Sequence, residues 1–284
     1  MKWQGVIPAI TTPFREDLSV DHDFLAKHAA WMIENGCAAI VALGSLGEGA
    51  TLEFDEKIAV LQSCMRSRAP VVAAISALST AAAVRLARKA EEVGCSGLMV
   101  LPPYVYSTDW REMKAHIAAV LSATRLSCML YNNPIAYGTD FLPEQVAELA
   151  KEHENLHAVK ESSADIRRIA AIRSHGTRLA IFVGVDDLIV EGIAAGAVGW
   201  IAGLVNAMPK ESVALFNGAD IYHWFLPLLR LDTVPKFVQL IKLVQQEVGM
   251  GSERVRPPRL TLAGHEREVA LRLIREALAS RPKI

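Results

Sequence analysis

Short apolar runs in regular alternation with longer stretches of helical period restrict the fold of this chain more than any other feature. The runs are GVIPAI (5–10), AAIVALG (38–44), PVVAAIS (70–76), SGLMVLP (96–102), LSCMLYN (126–132), LHAVKE (156–161), LAIFVG (179–184) and AVGWIA (197–202). Each has the length and residue types of a buried strand. The segments between them, such as DHDFLAKHAAWMIEN and STAAAVRLARKAEEVG, are amphipathic or alanine-rich, and several open on a capping Ser, Thr or Asp. Eight such units without a linker predict a closed parallel sheet ringed by helices, an α/β fold of the (β/α)8 TIM barrel type. The barrel is expected over residues 1–220, with a C-terminal helical extension over 221–284 packed on it. An open doubly wound sheet is the competing architecture, and it usually carries a glycine-rich phosphate loop after its first strand. Here the first turn reads TTPFRED, and the glycines of GSLGEG (44–49) are not in dinucleotide-binding order.

Composition then narrows the function classes. With 51% hydrophobic residues the 284-residue chain can fill one large core. Thirty basic residues against thirty-one acidic ones, with no basic block longer than a pair, argue against nucleic acid or an anionic membrane surface as the partner. No apolar run is long enough to span a membrane, and Pro8 breaks the only apolar stretch near the N-terminus. Neither a signal nor a transit peptide is expected, so the predicted location is cytoplasmic. The four cysteines are scattered and read as buried free thiols. The eight histidines show no metal-binding pairing, so no metal site and no cofactor are expected.

In a barrel of this kind the chemistry sits where the C-terminal strand ends converge. Polar residues at those ends are Thr11 and Thr12, Ser45 and Glu48, Tyr131 and Asn132, Lys160 and Ser162, and Asp186 and Asp187. Lys160 is the one cation of that set. A lysine held in an apolar barrel mouth loses hydration, which lowers its pKa and frees the neutral amine to attack a keto or imine carbon. Tyr131, at the end of the preceding strand, is placed to move protons during addition and breakdown. The GSLGE turn offers a hydroxyl and backbone N–H groups suited to a carboxylate. Singly, these features also fit a solvated strand end, a buried tyrosine with a satisfied hydroxyl and an ordinary glycine turn.

Five motifs in order, GVIPAITTPF, GSLGE, LYNNP, AVKESS and GVDD, followed by the helical extension, resemble the dihydrodipicolinate synthase/N-acetylneuraminate lyase family of class I Schiff-base barrels. The resemblance implies Lys160 as the Schiff-base lysine, Tyr131 as the catalytic tyrosine and Ser45 as the hydroxyl that contacts it. It sets Gly44, Leu46, Gly47, Ser162, Gly184, Asp186, Asp187 and Ile201 against the substrate, a small keto or imino acid. It also implies a homotetramer; the sequence itself offers only the Trp200 region and the helices after Pro227 as apolar surface candidates.

Departures from the family pattern bear on the substrate. Members that make dihydrodipicolinate carry a threonine at the position of Leu46, a relay tyrosine at Val105 and a carboxylate-binding arginine at Ala136 in YNNPIAYG. Tyr104 and Tyr106 flank Val105 and are candidates to restore the relay. Sialic acid lyases hold a polyol with residues such as Asp186 and Asp187, but Gly203 replaces a substrate-binding serine. The combination GSLGEG, KESSADIRR, AGAVGWIAGLV, IYHWFLPLL and RVRPPR is most similar to a subgroup that deaminates 4-hydroxy-Δ1-pyrroline-2-carboxylate. A pyruvate-releasing aldolase acting on a 2-keto-3-deoxy sugar acid is the rival, and a non-catalytic barrel is a further one. The family usually has a longer turn near residue 219, a shortening expected to lie outside the chemistry.

Overall fold

The computed structural model describes residues 1–106 and 108–284. Every predicted strand forms: β1 (Gly5–Pro8), β2 (Ile40–Ala42), β3 (Val71–Ile75), β4 (Gly97–Val100), β5 (Ser127–Asn132), β6 (Leu156–Glu161), β7 (Ala180–Val183) and β8 (Gly199–Ala202). They pair in parallel in the order β1-β8-β7-β6-β5-β4-β3-β2. The ring closes between β1 and β2, where the Ala38 amide donates to Val6 at 2.9 Å and the Ile10 amide to Val41 at 2.9 Å. The strands are apolar on both faces because side chains fill the barrel on one side and helices cover the other. Val71 to Ile75, for example, are all buried.

Several helices between the strands start where the sequence places caps. The Asp21 carboxylate accepts from the Phe24 amide at 3.1 Å, and the Ser79 hydroxyl from the Ala82 amide at 3.2 Å. Each satisfies a donor that the first helical turn leaves open. All four cysteines are free and buried, and burial pushes their thiols up to about 12, which leaves them protonated. Among the described residues no helix is long and apolar enough to cross a membrane.

The extension forms three helices, Tyr222–Leu229, Phe237–Glu247 and Gly264–Ala279. Phe225, Leu228, Ile241 and Val244 are fully buried in a hydrophobic core continuous with that of the barrel. Polar ties reinforce this packing. Thr11 donates to the Gln245 side chain at 2.9 Å, and Lys242 Nζ lies 2.5 Å from the Glu48 carboxylate in a fully enclosed ion pair. Trp200 differs from the surface role expected of it: it is fully buried, and its indole N–H donates to Asp186 at 2.9 Å. The extension also reaches further into the molecule than expected, because the turn after Leu229 enters the barrel mouth.

Candidate active site

Parallel pairing sets the geometry of the central residues. Tyr131 on β5 is the register partner of Lys160 on β6, which in turn is opposite Phe182 on β7. Register partners project to the same side of a sheet, so amine and phenol meet in the barrel mouth. Lys160 Nζ lies 4.2 Å from the centre of the Tyr131 ring. Lys160 is only 7% exposed. Burial lowers its pKa, and the opposing charges of Asp232 and Asp186 recover only part of that shift. Glycine at the end of β7 gives the lysine its room. A Cβ built on Gly184 would stand 1.9 Å from Ser162 Oγ and 2.5 Å from Lys160 Cε.

After β5 the segment Asn133 to Gly138 folds back over the mouth. Asn133 caps the single helical turn Pro134–Tyr137 by accepting from the Ala136 amide at 3.0 Å, and its side-chain amide donates to the Tyr131 hydroxyl at 2.9 Å. Pro134, at the first helical position, presets that turn. Tyr137 is thereby carried back to the site, where its hydroxyl is hydrogen-bonded to Ser45 and its ring meets Tyr131 edge-on at 5.8 Å. Burial raises the pKa of both phenols, so both stay protonated at neutral pH.

Tyr137 was not singled out from sequence; its signal was a tyrosine six positions after Tyr131 across a proline-started turn. The two candidates to restore part of a relay differ in their surroundings. Tyr106 is 58% exposed and donates to the Leu78 carbonyl at 2.7 Å. Tyr104 packs its ring 5.3 Å from that of Tyr137 and supports it from behind.

These groups open on a cavity of about 810 Å³, a size suited to a small molecule. Its walls include Gly44, Ser45, Leu46, Tyr131, Tyr137, Lys160, Ser162, Gly184, Asp187 and Ile201. Among the described residues, the amides of Ser45 and Leu46 make no hydrogen bond within the chain, which leaves two donors at the wall.

Two residues expected at the substrate do not reach the cavity. Gly47 turns its carbonyl to the Thr12 hydroxyl at 2.6 Å and packs against the Ile10 carbonyl. Asp186 is fully buried and accepts from the Trp200 indole and from the amides of Gly203 and Leu204 at 2.8 to 3.1 Å, so it anchors the turn after β8. Burial pushes its carboxyl up to about 6, and these donors hold it back from rising further. Asn132 and Glu48 are likewise engaged inside the protein, Asn132 with Glu161 and Phe141, and Glu48 with Lys242 and the Arg256 amide. The extension contributes wall residues that strand-end reasoning did not reach, among them Asp232, Thr233, Phe237 and Arg259.

Comparison with known proteins agrees with this architecture. Residues 2–277 match the model of the dihydrodipicolinate synthetase family. The chain is 32% identical over 275 residues to the 4-hydroxy-tetrahydrodipicolinate synthase of Geotalea uraniireducens, covering 92% of this chain and 94% of that one. It is 34% identical over 214 residues to the enzyme of the same name from Clostridium perfringens strain 13, covering 74% and 73%. The solved structure of dihydrodipicolinate synthase from Aquifex aeolicus superposes with a TM-score of 0.91 at 28% identity, covering 98% of both chains. The chain belongs to the dihydrodipicolinate synthetase family, whose members are class I Schiff-base lyases.

Proposed function

We propose that Lys160 forms a Schiff base with a small 2-oxo or cyclic imino acid, and that the reaction is deamination of 4-hydroxy-Δ1-pyrroline-2-carboxylate to 2,5-dioxopentanoate and ammonia. One observation carries the reading: a buried lysine of lowered pKa lies against a phenol in the wall of a cavity, which also holds Ser45 and Leu46, whose amides make no hydrogen bond among the described residues. The Ser45 and Leu46 amides receive the substrate carboxylate. The Lys160 amine adds to the ring C=N carbon, and transimination opens the ring, with Tyr131 passing its proton to the departing nitrogen. The iminium acidifies C3, the C4 hydroxyl leaves as water, and the remaining amine tautomerises to an imine. Hydrolysis of both imines takes up two waters and releases ammonia, the product and the free lysine. Ser45 and Tyr137 hold the phenol end of the cavity in place and extend the proton path.

The synthase reaction is the second reading, favoured by the names of the relatives. Leu46 in the wall, and Ala136 where an arginine would clamp a carboxylate, weigh against it. Exposed apolar residues Leu78, Val105, Tyr106 and Ile135 support self-association, and a homotetramer is the assembly proposed. The deciding experiment pairs two assays. Borohydride with pyruvate is expected to label Lys160, and the hydroxy-pyrroline is expected to yield ammonia. Labelling at another lysine would overturn the site. Pyruvate released from 2-keto-3-deoxy acids, or condensation of pyruvate with aspartate semialdehyde, each without ammonia from the pyrroline, would overturn the deaminase.

A further inference from the structure

Asp232 ends the short helical turn Arg230–Asp232 and stands in the wall of the cavity that holds Lys160. Its Oδ1 is completely enclosed and, among the described residues, has no hydrogen-bond partner. The berth for this carboxyl is Gly203, just beyond β8, where a Cβ would come within 2.0 Å of Oδ1 and 2.7 Å of Oδ2. Asp232 and Lys160 line the same cavity, and the charge of the carboxylate opposes the lowering of the Lys160 pKa by burial. The neighbouring acids are otherwise occupied. Asp186 is saturated by Trp200, Gly203 and Leu204, and Asp187 lies 3.6 Å from the Arg230 guanidinium.

A buried acceptor oxygen without a donor is costly unless something in the working state supplies the bond. Protonation is one answer, a substrate hydroxyl another, and a carboxylic acid facing a hydroxyl satisfies both. Burial, with Asp186 and Asp187 nearby, raises the Asp232 pKa well above the usual carboxyl range against the opposing effect of Lys160. The lysine is driven towards its neutral amine by the same loss of water. A nucleophile and an acid thus line one pocket.

We infer that Asp232 is the catalytic acid that holds the hydroxyl on the carbon β to the iminium and protonates it as it leaves. The inference rests on the Schiff-base reading of Lys160 and defines its substrate class: 2-oxo acids, or their cyclic imines, with a hydroxyl at C4. Tyr131, left as the phenolate once it has passed its proton to the group that departs as the Schiff base forms, takes the C3 proton and places an electron pair in the enamine. That pair then forms the C3=C4 bond as the C4–O bond breaks. The oxygen takes the Asp232 proton and departs as water, and the carboxylate recovers a proton from solvent. No electrons leave the system, and no further reactant is needed.

The test reads the adduct itself. The protein is treated with 4-hydroxy-2-oxopentanoate and borohydride, and the mass of the Lys160 peptide is measured for the native chain, Asp232→Asn and Gly203→Ala. Asparagine is close in shape but cannot protonate the leaving group, whereas alanine at 203 displaces the carboxyl without removing it. The native chain is expected to yield mainly the adduct lighter by one water. Both variants are expected to yield mainly the hydrated adduct, with water loss slowed by about 10² or more. Equal water loss in the native chain and Asp232→Asn would overturn the role of Asp232 alone, as would a pyruvate-derived adduct in all three. No adduct on Lys160 in any of them would instead overturn the Schiff-base reading beneath it.

Discussion

A single methyl group added at Gly184 puts the packing around the lysine to a direct test. In Gly184→Ala the new Cβ would lie 1.9 Å from Ser162 Oγ, 2.5 Å from Lys160 Cε and 2.9 Å from Lys160 Cγ. Ordinary contact begins near 3.4 Å, so Ser162 must retreat and the lysine stem must move by about 1 Å. Gly184 does not occupy the left-handed region, so the penalty is purely steric. Overpacking of this kind costs about 1–3 kcal/mol, which for a chain of this size lowers Tm by a few degrees. The effect on chemistry is larger, since misplacing a reacting group by about 1 Å costs on the order of 10² in rate.

Borohydride labelling of Lys160 with pyruvate, followed over time, measures this loss, and a thermal melt measures the rest. Gly176→Ala is the control: its φ of +66° makes alanine strained, but no atom lies within 4 Å of the added carbon. It should lose about 1 kcal/mol and label at the native rate. Native-rate labelling in Gly184→Ala would refute the argument that this glycine exists to make room for the lysine.

The hydroxyls should separate by position. Tyr131→Phe keeps the ring beneath Lys160 but removes the proton carrier, so turnover should fall by about 10² to 10⁴; Tyr137→Phe, one step removed, should cost about tenfold, and steady-state kinetics at saturating substrate distinguish the two. His28 gives a pH signature in stability. Its ring is fully buried against the Asn206 carbonyl, and burial lowers its pKa from 6.5 to about 4. A folded pKa below the unfolded value contributes stability that is complete above pH 6.5 and lost as the pH falls towards about 4. The full difference is on the order of 3 kcal/mol. Urea unfolding between pH 7 and 4 should show that slope and lose it in His28→Gln; an unchanged slope would refute the assignment.

Strand positions, barrel closure and the meeting of Lys160 with Tyr131 were legible in the sequence because each depends on local pattern plus a topology rule. A strand of known direction, in a barrel whose function lies at one end, places its last residues with little ambiguity. Asp186 shows where that logic stops. It stands at a strand end like Asp187, yet its carboxylate turns inward to three donors, two of them backbone amides whose direction no side-chain pattern records. Tyr137 was hidden by the turn that carries it, since only the Asn133 cap brings its hydroxyl to Ser45. Asp232 and Arg259 were beyond reach for another reason: they belong to the extension, and strand-end counting says nothing about segments that return to the mouth from outside the eight units.

That return makes the extension part of the site as well as part of the core. Glu48, at the end of the turn carrying the Ser45 and Leu46 amides, has a left-handed backbone with φ of 53°. What holds it there comes from the last 64 residues: Lys242 at one carboxylate oxygen and the Arg256 amide at the other. Burial lowers the Lys242 pKa to about 8, against the pull of Glu48. Removing one partner of a pair this enclosed leaves the other charge stranded, at a cost of about 3–5 kcal/mol. The same segment supplies Asp232 and Arg259 to the cavity wall, with the Arg259 guanidinium 3.8 Å from the Glu48 carboxylate. A barrel ending at residue 220 would therefore retain the lysine and the tyrosine while losing the support of the carboxylate-binding turn and the Asp232 carboxyl in the cavity wall.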